Sequence, residues 1–178
     1  NPKINIQKKQ ILLIKKKFKI KSNVKNILLG IGGSGPTKRV PSKKFIEFMG
    51  YVSKKYKSRF FLATGKHPDE QKILREIINS KYKDKCQRLD NLSINKILPI
   101  ISSCDISICN DSSFSHLSSA LGVKTIVLMS DTPLIYGNYS KYMHAIIPDG
   151  EKTVTHKTLG KNKINPKKIF NKFIKLIN

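Results

Sequence analysis

A chain of 178 residues is long enough for one domain with its own core. Its hydrophobic residues, 39% of the total, come in short runs that exclude a membrane-spanning helix of roughly 20 apolar residues. The formal charge of +24 calls for an anionic partner, yet only Arg39, Arg59, Arg75 and Arg88 carry the forked guanidinium that reads nucleic acid, so no specific nucleic acid is expected.

Lysines supply the rest of the charge and are spread along the whole chain. A genome rich in A and T, favouring Lys, Asn and Ile codons, accounts for them as neutral composition. Attraction to an anionic membrane surface is the functional alternative. Cys86, Cys104 and Cys109 are odd in number and lack close metal spacing, which argues against a disulfide framework and for small buried thiols in a reducing compartment. The opening Asn1-Pro2-Lys3 has neither an initiator methionine nor a secretory pattern, and reads as the edge of a domain cut from a longer chain.

Residues 1–26 read as a linker and an edge helix. Gln7 to Lys19 places Ile11, Leu12, Ile14 and Phe18 among lysines and glutamines, at helical spacing. Such a helix either tucks against the domain edge, the reading preferred here, or lies on a membrane. Residues 27–35 read as a buried strand running into Gly32-Gly33-Ser34-Gly35. A loop of this kind brings backbone close to phosphate or simply turns the chain, and it is neither a Walker A loop nor a dinucleotide fingerprint. Ser42 is expected to cap a helix that turns Phe45, Phe48, Met49 and Val52 inward, which leaves Lys38 between glycine loop and helix, where an amine can pair with a pyrophosphate.

Phe60 to Ala63 reads as the next strand, and Thr64 to Glu70 as a second crevice loop in which His67 either touches a ligand or is solvated. A helix through Ile73, Leu74, Ile77 and Ile78 follows. Cys86 to Leu89 reads as a short strand, and Ser93 as the cap of a helix through Ile94, Ile97, Leu98 and Ile101.

The most informative stretch is 105–128. Ile106, Ile108 and Cys109 read as a strand, Asn110 to Ser113 as a polar turn, Phe114 to Leu121 as a helix closed by Gly122, and Thr125 to Leu128 as a further strand. In a strand, turn and helix of this sort, the turn and the positive helix end receive an anionic ligand. Asp111, Ser112, Ser113 and His116 stand there, and Asp111 or Ser112 also suits the cap. Met129 to Pro133 forms another loop at the same edge, and Ala145 to Ile147 a last strand. Residues 149–163 read as loop, and Asn165-Pro166 opens a closing helix within 164–178 that turns Ile169, Phe170, Phe173, Ile174 and Ile177 inward.

Alternating strands and helices imply an α/β fold, a doubly wound parallel sheet of Rossmann-like kind. The loops after Leu29, Ala63, Cys109 and Leu128 are then expected to meet at one rim.

Taken in order, Gly32-Gly33-Ser34-Gly35, Lys38-Arg39-Val40-Pro41, Thr64-Gly65, Leu92-Ser93, Asn110-Asp111-Ser112-Ser113-Phe114-Ser115-His116-Leu117 and Ala120-Leu121-Gly122 resemble the carboxyl-terminal half of glycosyltransferase family 9. That family contains the ADP-heptose:lipopolysaccharide heptosyltransferases. The resemblance implies one domain over 1–178, equivalent to the donor-binding half of a GT-B enzyme. The partners it implies are a nucleotide-sugar and an amino-terminal acceptor domain that carries the catalytic base. No metal or cofactor is implied beyond the donor substrate.

Carried over residue by residue, the resemblance gives Lys38 the donor phosphates, and Asp111, Ser112 and Ser113 the role of an Asp-Thr-Gly turn beside His116. Gly33 and Ser34 form the glycine loop, Leu92 packs on the nucleoside, and Thr132 ends the equivalent of a Gly-Pro-Thr turn. The departures are Val40 for Trp, Ser112-Ser113 for Thr-Gly, Ser130-Asp131 for Gly-Pro, and His67 at the place of an acidic ribose contact. The implied setting is cytoplasmic, at the inner face of a bacterial inner membrane. The alternatives are another GT-B-shaped nucleotide-sugar enzyme, such as an epimerase, and a non-catalytic basic module for membrane or nucleic acid.

Overall fold

The computed structural model describes residues 2–178. Its strands are β1 (Lys25–Gly30), β2 (Ser58–Ala63), β3 (Cys86–Arg88), β4 (Ile106–Asn110), β5 (Thr125–Leu128) and β6 (Met143–Ile146). All pair in parallel, in the order β3-β2-β1-β4-β5-β6. The helices are α1 (Lys8–Lys17), α2 (Ser42–Lys55), α3 (Pro68–Ile78), α4 (Ile94–Ile101), α5 (Ser113–Ala120) and α6 (Pro166–Ile177). From β1 the chain winds outward to β3, then returns past β1 to β4 and winds the other way. Loops leaving β1 and β4 therefore diverge, and that divergence opens a crevice beyond the carboxyl ends of the strands.

Both faces of the sheet are covered, which is why its central strands read as continuous apolar runs. Successive side chains alternate across β1: Ile27 and Leu29 join Phe45, Phe48 and Met49 of α2 and Phe173 of α6, while Leu28 joins Phe61 of β2 and Ile97, Ile100 and Ile101 of α4. Phe173 is fully buried and meets Phe48 edge-on, with ring centres 5.7 Å apart. Truncating a ring so placed costs about 3–5 kcal/mol.

Several local expectations hold. Asn165 caps α6 by accepting from the N–H groups of Lys167 and Lys168 at 2.9 and 3.4 Å. Ser112 is the cap residue of α5, and Gly122 beyond that helix has φ +76°, a conformation suited to glycine. Cys104 and Cys109 are buried and Cys86 is half-buried. Burial pushes the Cys109 thiol up to about 12 and that of Cys86 to about 11, and it raises Cys104 as well, so the three serve as packing.

α1 packs on α4. Ile14, with Phe18 and Ile20 just beyond the helix, is half-buried against the second cluster, while Leu12 and Leu13 stay exposed.

Others need correction. Ser42 is the first residue of α2 and Pro41 is the cap, because the Ser42 hydroxyl is engaged by Glu76 of α3. α5 begins one residue earlier than expected. β6 spans 143–146, so Ile147 lies outside it and Met143 within it; its half-buried edge position leaves little apolar signal. A short 3-10 helix, Gly160–Lys163, interrupts the expected loop. Among the described residues no helix is long and apolar enough to cross a membrane.

Candidate functional site

The crevice at the point of strand-order reversal is a cavity of about 630 Å3. Its lining comes from three segments: Gly32 to Arg39 after β1, Thr64 to Glu70 after β2, and Asp111 to His116 after β4. The expected fourth loop, after β5, lies behind the first instead of lining the cavity. The Ser130 hydroxyl donates to the Thr37 carbonyl at 2.9 Å, and Ser130 O accepts from Gly160 N at 2.8 Å. β5 stands one strand beyond the reversal, so its loop supports the wall.

Asn110, fully buried at the end of β4, donates from Nδ2 to the carbonyls of Ile31 and Gly32 at 2.9 and 3.2 Å. That side chain ties the two central loops together and delivers Asp111 opposite Lys38. The Lys38 amine meets Asp111 Oδ2 at 2.7 Å. Asp111 is 5% exposed, whereas the Lys38 side chain keeps 24% of its surface. On the other carboxylate oxygen, Oδ1, His116 Nε2 stands 3.8 Å away, and His116 Nδ1 is 2.8 Å from the Tyr139 hydroxyl.

The first turn of α5 forms the adjoining wall. Ser115 Oγ donates to Ser112 O at 2.7 Å and accepts from Ser112 N at 3.5 Å, which closes the entry to the helix. N–H groups in a first turn have no partner within their helix, so those of Ser113 and Phe114, both lining residues, add the positive helix end to the crevice.

The glycine loop is held from both sides. Glu70, 8% exposed, accepts from Gly33 N at 2.7 Å, and Arg39 Nε donates to Gly33 O at 2.8 Å while its Nη1 reaches Asp69 at 3.0 Å. A Cβ at Gly32 or Gly65 would collide with the Glu70 carboxylate, so both glycines are there to let that acid sit between the loops. Gly33 and Ser34 line the crevice, but the Gly33 N–H is spent on Glu70. His67 lines it too; it caps α3 by accepting from Asp69 N at 3.3 Å and stays half exposed.

Leu92 and Thr132 are not among the lining residues. Leu92 is half-buried against the second cluster, in a turn secured by two hydrogen bonds from the Arg88 guanidinium to the Asp90 carboxylate, at 3.0 and 2.9 Å. That guanidinium holds the Asp90 carboxyl below the usual carboxylate range. Thr132 is 3% exposed in the supporting β5 loop, and Val40 is fully buried in the first core cluster.

Arg39, Thr64, Gly65, Glu70 and Phe114 also line the cavity; the sequence placed them in its motifs and crevice loop without giving any of them a ligand role. The sequence read Glu70 as the end of a loop, whereas the structure places it in the first turn of α3, where an acid suits the helix dipole. Its bond to Gly33 spans 37 residues, and only the fold makes it visible. Around the cavity Asp69, Glu70 and Asp111 face Lys38 and Arg39, so the excess of positive charge resides elsewhere on the surface.

The sheet order and this crevice define a Rossmann-like α/β domain of the kind found in GT-B glycosyltransferases. Within that class the chain belongs to glycosyltransferase family 9 (heptosyltransferase), whose sequence pattern matches residues 1–165. It is 26% identical over 161 residues to lipopolysaccharide heptosyltransferase 1 of Campylobacter coli, covering 89% of this chain and 47% of that protein. The chain thus spans about half the length of that curated relative.

Among solved structures it is similar to the ADP-heptose lps heptosyltransferase II of E. coli, with a TM-score of 0.79, 18% identity, and coverage of 99% of this chain and 53% of that one. It is also similar to the E. coli heptosyltransferase WaaC with ADP, with a TM-score of 0.72, 15% identity, and coverage of 91% and 47%. At these identities the two structures speak for the fold.

Proposed function

We propose that this chain is the donor-binding half of an inverting heptosyltransferase, holding an ADP-heptose-like nucleotide-sugar in the crevice. The observation that carries the reading is the convergence of Lys38 and Asp111, 2.7 Å apart, at the strand-order reversal of a family 9 domain. Support also comes from the similar heptosyltransferase solved with ADP. In this reading the Lys38 amine and the first-turn N–H groups of α5 hold the diphosphate and stabilise its charge as it leaves. Asp111 and His116 face the sugar. The base that takes the acceptor proton belongs to an amino-terminal half outside these 178 residues, so this chain binds donor without transferring it.

Calorimetry tests the site with ADP and with ADP-heptose. Binding by the wild-type chain is expected, weakened about tenfold by Lys38→Ala through loss of a charge-assisted contact. Asp111→Ala is expected to weaken the nucleotide-sugar more than ADP. Unchanged affinity in both variants overturns the site, and a preference for UDP over ADP favours an epimerase-like enzyme. The setting proposed is the cytoplasmic face of a bacterial membrane, supported by Leu12 and Leu13 of α1, 68% and 60% exposed among lysines.

A further inference from the structure

We infer that Tyr139 is a positioning residue of the crevice, its hydroxyl fixing the ring orientation and tautomer of His116 so that the imidazole offers an N–H donor to the bound ligand. Tyr139 comes from the connection between β5 and β6, outside the three lining segments. It nevertheless reaches α5: its hydroxyl is 2.8 Å from His116 Nδ1, and the two rings lie 5.7 Å apart with their planes 14° from parallel. A phenol is protonated at neutral pH, and a neutral imidazole has one accepting nitrogen. With the phenol donating to Nδ1, the ring proton is left on Nε2.

Nε2 is the nitrogen near Asp111, at 3.8 Å from Oδ1, while Lys38 occupies Oδ2. That separation is longer than a hydrogen bond, so the acid does not consume the Nε2 proton, and His116 is a lining residue of the cavity. The near-parallel packing of the rings resists rotation that would exchange the nitrogens. His116 then presents an N–H donor, complementary to a phosphate or sugar oxygen, beside the Lys38 amine. The role assigned to the ligand rests on the donor-site reading; the tautomer does not.

A two-bond proton–nitrogen correlation spectrum of the labelled chain at pH 7.5 reads the tautomer directly. The wild type is expected to hold His116 as the Nε2–H form and Tyr139→Phe, which keeps the aromatic face, to give a mixture. In calorimetry with ADP, Tyr139→Phe is expected to lose about threefold to tenfold in affinity, the worth of one hydrogen bond. His116→Ala should lose as much, and the double variant no more. An Nδ1–H tautomer in the wild type, or a tautomer unmoved by Tyr139→Phe, overturns the inference. If the wild type fails to bind ADP while the tautomer still moves, Tyr139 positions His116 and the donor-site reading is the one that falls.

Discussion

Replacing Lys38 by alanine removes the amine that neutralises Asp111, a carboxylate 5% exposed whose other oxygen has His116 Nε2 at 3.8 Å, beyond hydrogen-bond distance. A hydrogen bond to a charged group contributes about 1.5–3 kcal/mol. The Lys38 side chain keeps 24% of its surface in solvent, and screening there reduces the loss to about 1–2 kcal/mol. For a chain of this size that is a fall in Tm of about 2–8 °C. The reciprocal Asp111→Ala leaves an amine that can turn outward to water, so its single loss is smaller.

The assay is a double-mutant cycle in urea over Lys38→Ala, Asp111→Ala and the pair. Because the two groups are in contact, the losses should fail to add by about 1 kcal/mol or more. Additivity to within about 0.5 kcal/mol refutes the reasoning, since it means the pair makes no net contribution in the unliganded crevice.

Burial, helped by Lys172 and Lys124, holds the His144 imidazole below its usual value, so it is neutral in the fold at a pH where the unfolded chain takes up a proton. The unfolded chain binds more protons between that lowered value and about 6.5, so stability is full above this window and falls as pH drops through it. Urea midpoints at pH 7.5 and 5.5 should lie closer together for His144→Gln than for the wild type, and an unchanged gap refutes the assignment. Anionic vesicles should co-sediment with the chain at physiological salt through α1, whereas neutral vesicles should not. Exchanging both Leu12 and Leu13 for serine should reduce that binding; vesicle binding that survives the exchange rules out membrane docking through α1.

What the sequence by itself determined was whatever depends on near neighbours. The strand run of β1, the capping of α6 by Asn165, the existence of a tight turn between β4 and α5, which the structure shortens from Asn110–Ser113 to Asp111-Ser112, and the positive-φ glycine after α5 follow from periodicity and local hydrogen-bonding chemistry, which act over a few residues. The family motif added Lys38 and Asp111, and their meeting across 73 residues follows once β1 and β4 are adjacent strands.

Tertiary structure alone decided the rest. It placed Glu70 under the glycine loop and spent the Gly33 N–H there, took Ser42 from its expected capping role to Glu76, moved the β5 loop behind the wall, and brought Tyr139 to His116. Each is a polar pairing between groups more than 20 residues apart, and such a pairing leaves no period in the chain. It is set by which strands neighbour each other and by the need of buried N–H and carboxylate groups to find partners.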